Sequence, residues 1–217
     1  DYYASRGLGD VYKRQGIAKQ EVAPDMAYLT LGISVKGDTA ESVRTQAAEA
    51  SQKVRRALLG MAISENNIQS SSYNLYPDYE NVNGKNKQKG YALNTTLRIK
   101  VDDLKKLGDI IDKTVQEGVT NVNQVSFALS EESNVQRQLL AAAVDNARAK
   151  AAIVANAGGR NLGEMLSADI SDYNGETMVA AGTNYKRSLA ADVAAPTQLM
   201  PGTLKIDASV EVTFKLN

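Results

Sequence analysis

From Thr203 to Leu216 the sequence alternates without a break. Leu204, Ile206, Ala208, Val210, Val212, Phe214 and Leu216 are apolar, while Thr203, Lys205, Asp207, Ser209, Glu211, Thr213 and Lys215 are polar. Successive side chains of a strand point to opposite faces, so this period of two specifies a long strand with one face buried and one face wet. A chain that contains such a strand must also supply a sheet to receive it and a layer to cover its apolar side.

The same period recurs between Asp25 and Lys36, where Ala27, Leu29, Leu31, Ile33 and Val35 share a face, and Gly37 ends the run. Asp38 and Glu41 then have the spacing of a capping box. Val43, Ala47, Ala50, Val54, Leu58 and Met61 follow at three- and four-residue intervals, the apolar stripe of an amphipathic helix that closes near Gly60. A hairpin comes next. Ile68–Tyr79 is rich in Ser and Tyr, and Asn83-Gly84 is a tight-turn signal inside a lysine-rich, solvated tip. Tyr91, Leu93, Thr95, Leu97, Ile99 and Val101 mark the returning strand.

A second helix is predicted from a cap at Asp102, with Leu104, Leu107, Ile111 and Val115 inward and Gly118 at its C′ position. Val125, Phe127 and Leu129 form a fourth strand. Ser130 then caps a third helix lined by Val135, Leu139, Ala142, Ala143, Ala147, Ala151 and Val154. That mostly alanine stripe predicts close approach to the sheet. Gly158-Gly159 stops the helix, and Leu166, Ala168 and Ile170 mark a short fifth strand.

The fold class is therefore α+β. A mostly antiparallel sheet with a βαββαβ core is followed by a further helix and two strands, and all three helices are expected on one face. Residues 16–217 read as one domain with a long loop at 172–202, where the chain loses its period. Met178, Val179, Leu189 and Val193 are the apolar residues that loop offers for contact. Residues 1–15, through Tyr12-Lys13-Arg14-Gln15, show no period and resemble translated adaptor sequence. They read as a non-native or disordered segment.

The 217 residues include neither histidine nor cysteine. The chain has no imidazole to move protons near neutrality, no thiolate, and none of the nitrogen and sulfur ligands of a zinc site. No cofactor or metal site is expected. Lys plus Arg equals Asp plus Glu, 25 of each, which argues against a dedicated nucleic-acid binder. No apolar run is long enough to form a transmembrane helix.

Four of the ten tyrosines, Tyr73, Tyr76, Tyr79 and Tyr91, fall in the hairpin. Tyrosine joins an apolar ring to a polar tip, so these four are the candidate protein-contact patch. Cross-strand aromatic pairing is the simpler explanation. Lys85, Lys87 and Lys89 form a basic tip of the sort that protects strand edges. Asp169 and Asp172, with Asp78 and Glu80 elsewhere, match no calcium loop. Gly158–Gly163 follows a helix, whereas a phosphate loop opens one.

Taken in order, Pro24-Asp25-Met26-Ala27, Ser72-Tyr73-Asn74-Leu75-Tyr76-Pro77-Asp78-Tyr79, Gly90-Tyr91, Asn94, and the alanine-lined helix ending in Gly158 before Leu162-Gly163 resemble the SIMPL domain family. The resemblance spans about residues 20–217. It implies an exported bacterial protein, periplasmic or at the cell surface, with ring- or channel-like oligomers among its members and a loose link to stress tolerance. It supplies no catalytic residues. The expected function is thus a non-enzymatic envelope protein acting through self-assembly, as a homo-oligomer, or through contact with an envelope protein partner. A carboxylate-dependent hydrolase of envelope polymers, with Asp169 and Asp172 tested first, is one alternative. A small-ligand or lipid-binding module, which needs a deep apolar pocket between helices and sheet, is another.

Overall fold

A computed structural model describes residues 11–170, 177–178 and 197–217. Eight strands and three helices follow in the order β1 Val11–Val22, β2 Met26–Gly37, α1 Ala40–Gly60, β3 Ile68–Val82, β4 Lys85–Val101, α2 Leu107–Gln116, β5 Asn121–Ala128, α3 Glu132–Ala157, β6 Leu162–Ile170, β7 Thr177–Met178 and β8 Leu204–Leu216. The α+β class holds. The strands, however, form two antiparallel sheets, ordered β3-β4-β2-β5 and β1-β8-β6, with β7 also paired to β8. The described residues fall into two compact units, one of residues 24–130 and 197–201, the other of residues 11–23, 131–170, 177–178 and 202–217.

The first unit is the expected βαββαβ core. β2 and β3 run parallel with β4 between them, and β4 and β5 run parallel with β2 between them, so two split βαβ units interlock. The odd-numbered residues of β2 and β4 face α1 and α2. Leu29, Leu31, Val54, Leu58, Ile99 and Ile110 meet there, each no more than 1% exposed. Their side chains pack together between these helices and this sheet.

Helix ends differ from expectation by a residue. Thr39, not Asp38, caps α1, its Oγ1 accepting from the Ser42 amide at 3.2 Å. Asp103, not Asp102, caps the short 3₁₀ turn Leu104–Lys106 that leads into α2. In α2 the buried positions are Leu107, Ile110, Ile111 and Thr114, while Val115 is exposed. Gly118 has φ 118°, the left-handed conformation a C′ glycine supplies. Residues 197–201, the end of the expected long loop, return onto α2. The Thr197 amide and hydroxyl both donate to Asp112, at 3.0 and 2.5 Å. Leu199 packs partly on the core.

The second unit corrects the single-sheet reading. Residues 11–15, set aside above, begin β1, which pairs with β8 over twelve residues from Val11↔Lys215 to Val22↔Leu204. With β1 as its partner, β8 lies at the centre of its own sheet, and α3 covers that sheet instead of joining α1 and α2. Leu139, Ala143, Ala147, Ala151 and Ala155 are the buried residues of α3, whereas Ala142 and Val154 are exposed. The alanine stripe does bring the backbones close. A Cβ at Gly16 would overlap the Ala143 carbonyl oxygen, and the Ile17 amide donates to Asn146 Oδ1 at 3.3 Å. Glu131 occupies the N-cap of α3. Ser130, the expected cap, instead gives its amide and hydroxyl to Asp25 at 2.7 and 2.6 Å.

Candidate functional site

β3 and β4 are longer than the sheet that holds them. The β2–β4 ladder ends at Gly37↔Tyr91, but the β3–β4 ladder continues to Val82↔Lys85. Residues 79–89 are thus an arm whose strands pair with each other and with no other described strand. Its turn is tight. Asn83 and Gly84 have φ of 51° and 79°, both positive as a type I′ turn requires. Asn81 Oδ1 accepts from the Gly84 amide at 2.9 Å. The lysine-rich stretch expected as a solvated tip is strand up to Lys85. β3 is also a sheet edge, so alternate amides and carbonyls along it point outward with no strand partner among the described residues.

The four tyrosines do not form one patch. Directly opposed residues share a face, and Tyr91 opposes Pro77 on the helix side, where it packs partly on Val43, Ala47 and Leu93. Tyr73 and Tyr79 point to that same side and are 57% and 58% exposed. They lie six residues apart, about 20 Å along the strand. Tyr76 opposes Ala92 on the other side, and its hydroxyl accepts from Asn94 Nδ2 at 2.8 Å. None of the four directly opposes another aromatic ring in the ladder.

Charge divides along the arm. Asp78 and Glu80 stand on β3 and Lys85, Lys87 and Lys89 on β4. Glu80 pairs with Lys89 at 3.5 Å, and Asp78 with Lys36 of β2 at 2.8 Å. The hydrogen bond that Lys36 donates to Asp78, together with the charge of that carboxylate, holds the Lys36 ammonium above the usual lysine range. Lys36, Asp38, Asp78 and Lys89 line a depression of about 230 Å³ at the root of the arm, where Gly90 lies so close to the Gly37 carbonyl that a Cβ would overlap it. The sequence reading missed the Lys36–Asp78 pair because it joins residues that no local spacing connects.

Asp169 is exposed on β6 opposite Glu211, which is itself paired to Lys13 at 2.9 Å, and Asp172 lies outside the described residues. No group of three or more acidic residues positioned to hold a metal occurs among the described residues. Gly158–Gly159 closes α3 as expected, with φ of 73° at Gly159. Met178 is in β7, and Val179, Leu189 and Val193 lie outside the described residues.

The model of the family SIMPL, protein of unknown function (DUF541), matches residues 14–214. The chain belongs to the SIMPL family. It is 28% identical over 203 residues to the uncharacterized protein YggE of Escherichia coli K12, covering 93% of this chain and 81% of that protein. It is 30% identical over 209 residues to the 26 kDa periplasmic immunogenic protein of Brucella melitensis, covering 93% and 82%. An uncharacterized YggE of Edwardsiella ictaluri is 24% identical over 208 residues, with 93% and 85% covered. No helix among the described residues is long and apolar enough to cross a membrane.

Proposed function

We propose that this is an exported, non-enzymatic protein of the bacterial envelope, and that it works by holding a partner strand along the β3 edge of its hairpin arm. The second copy of the chain is the partner that best fits. The observation that carries this reading is the arm itself, residues 79–89 projecting beyond the β2–β4 ladder with both outer edges free among the described residues. An acidic β3 and a basic β4 offer complementary sides to another arm. Pro77 and the ladder irregularity between Ser70 and Ser72 interrupt the edge nearer the body, which confines pairing to a short stretch. The exposed Tyr79 and Val82 supply apolar area at the contact. Export is supported by kinship with a relative named periplasmic. A non-catalytic role is supported by the missing histidine and cysteine.

Size-exclusion chromatography with light scattering, run on the chain and on a Tyr79→Ser, Val82→Ser double variant, tests the reading. The parent should assemble and the variant should run as a folded monomer. A parent that stays monomeric at high concentration would overturn it.

A further inference from the structure

The side of the β3-β4-β2-β5 sheet that faces away from α1 and α2 has an unusual chemistry for its size. By register, Gln69, Arg98, Thr30 and Gln124 form one row across all four strands, and Asn74, Asn94 and Ser34 form another. Amides and hydroxyls dominate, each offering donors and acceptors together. Four strands span about 15 Å, so the face is broad and shallow.

Its charges are largely cancelled. Lys36 is paired with Asp78, and Lys100 with Asp102 at 3.1 Å. Arg98 is the exception, with no ion pair among the described residues. Its guanidinium lies 4.1 Å from the centre of the Tyr28 ring, which fixes its position and leaves its outer N–H groups available. Around this pair, Tyr28, Asn66, Asn67, Gln69, Arg98 and Lys100 enclose a depression of about 190 Å³. Asn67 Nδ2 donates to Asp102 at 3.1 Å, which holds that wall in place.

These features select one kind of ligand. A protein partner would need apolar anchors at the centre of the surface, and those rows carry none. A nucleic acid would need a cationic excess, and one uncancelled guanidinium is too little. Paired amide donors and acceptors suit a molecule rich in hydroxyls, and a guanidinium with free N–H groups suits a carboxylate. We propose that this face binds a linear saccharide chain, with a carboxylate-bearing sugar seated against Arg98 in the Tyr28–Gln69 depression. The site is separate from the hairpin edge and stands whether or not that edge assembles.

Amide NMR shifts of the labelled chain, titrated with oligogalacturonate, a neutral chito-oligosaccharide and inorganic phosphate, test it. Oligogalacturonate should move the signals of Tyr28, Gln69 and Arg98 and of the rows beside them, and should bind more tightly than either other probe. Arg98→Gln and Gln69→Ala should each weaken it about tenfold, the effect of one charged or bidentate hydrogen bond. Arg44→Ala on α1, which covers the opposite side of the sheet, should leave it unchanged. Equal binding of phosphate would reduce the site to an anion spot, and equal binding of the neutral sugar would remove the role of Arg98. Either result overturns the proposal, as does the absence of shifts with oligogalacturonate or an Arg98→Gln variant, folded by circular dichroism, that binds normally.

Discussion

Asp25 shows how a single side chain can hold two distant parts of the sequence. Its carboxylate accepts from both the amide and the hydroxyl of Ser130, and those hydrogen bonds hold its pKa below the ordinary aspartate value. The site is exposed, so the loss in Asp25→Ala should be modest, about 1 kcal/mol of unfolding free energy after allowance for solvent. The pH dependence has a definite sign. A carboxylate with a lowered folded pKa stabilises fully above its unfolded value and loses that contribution as pH falls through the folded one. Urea titrations of parent and Asp25→Ala should therefore differ at about pH 7 and draw together as pH falls below the ordinary aspartate range. A gap that persists in acid would show that something other than the ionised carboxylate holds Ser130. This contact was not legible in the sequence. Ser130 fitted a helix cap equally well, and nothing local says that a residue 105 positions away claims it.

Elements were legible where their apolar period was strong. β2, β8 and the buried stripe of α1 follow directly from alternation or from the 3.6-residue repeat. β1 was hidden for a physical reason. Where it meets α3 most closely it presents Gly16 and Ala18, with Arg14 and Gln20 on the same side, so small residues erase the pattern that larger ones would write. Without β1 the alternation of β8 had no partner, and a single sheet was the natural inference. The close approach makes its own prediction. Gly16→Val places side-chain atoms against the Ala143 carbonyl and should destabilise the chain by about 2 kcal/mol, read as a lower urea midpoint. A neutral result would mean that α3 rides higher on this sheet. In the hairpin, Gly84→Ala forces alanine to φ 79° and should cost about 1 kcal/mol while leaving the strand register unchanged. An unchanged melting temperature would count against the type I′ turn.

At the scale of the whole molecule, the candidate site was half visible. The sequence showed a tyrosine-rich hairpin and its Asn83-Gly84 turn. It could not show that Tyr91 is spent on the core, that Tyr76 points to the opposite side, or that the strands outrun the sheet. Those facts depend on register, which long-range pairing fixes. What is left exposed is an edge whose outward amides have no strand partner among the described residues, the surface on which the proposed assembly depends. Hydrogen exchange of the backbone amides of residues 73–82, compared at low and high protein concentration, tests that claim most directly. The account predicts that the outward amides between Asp78 and Val82 exchange freely in dilute solution and become protected as concentration rises, with the core amides unchanged. Exchange that stays equally fast at every concentration would contradict it.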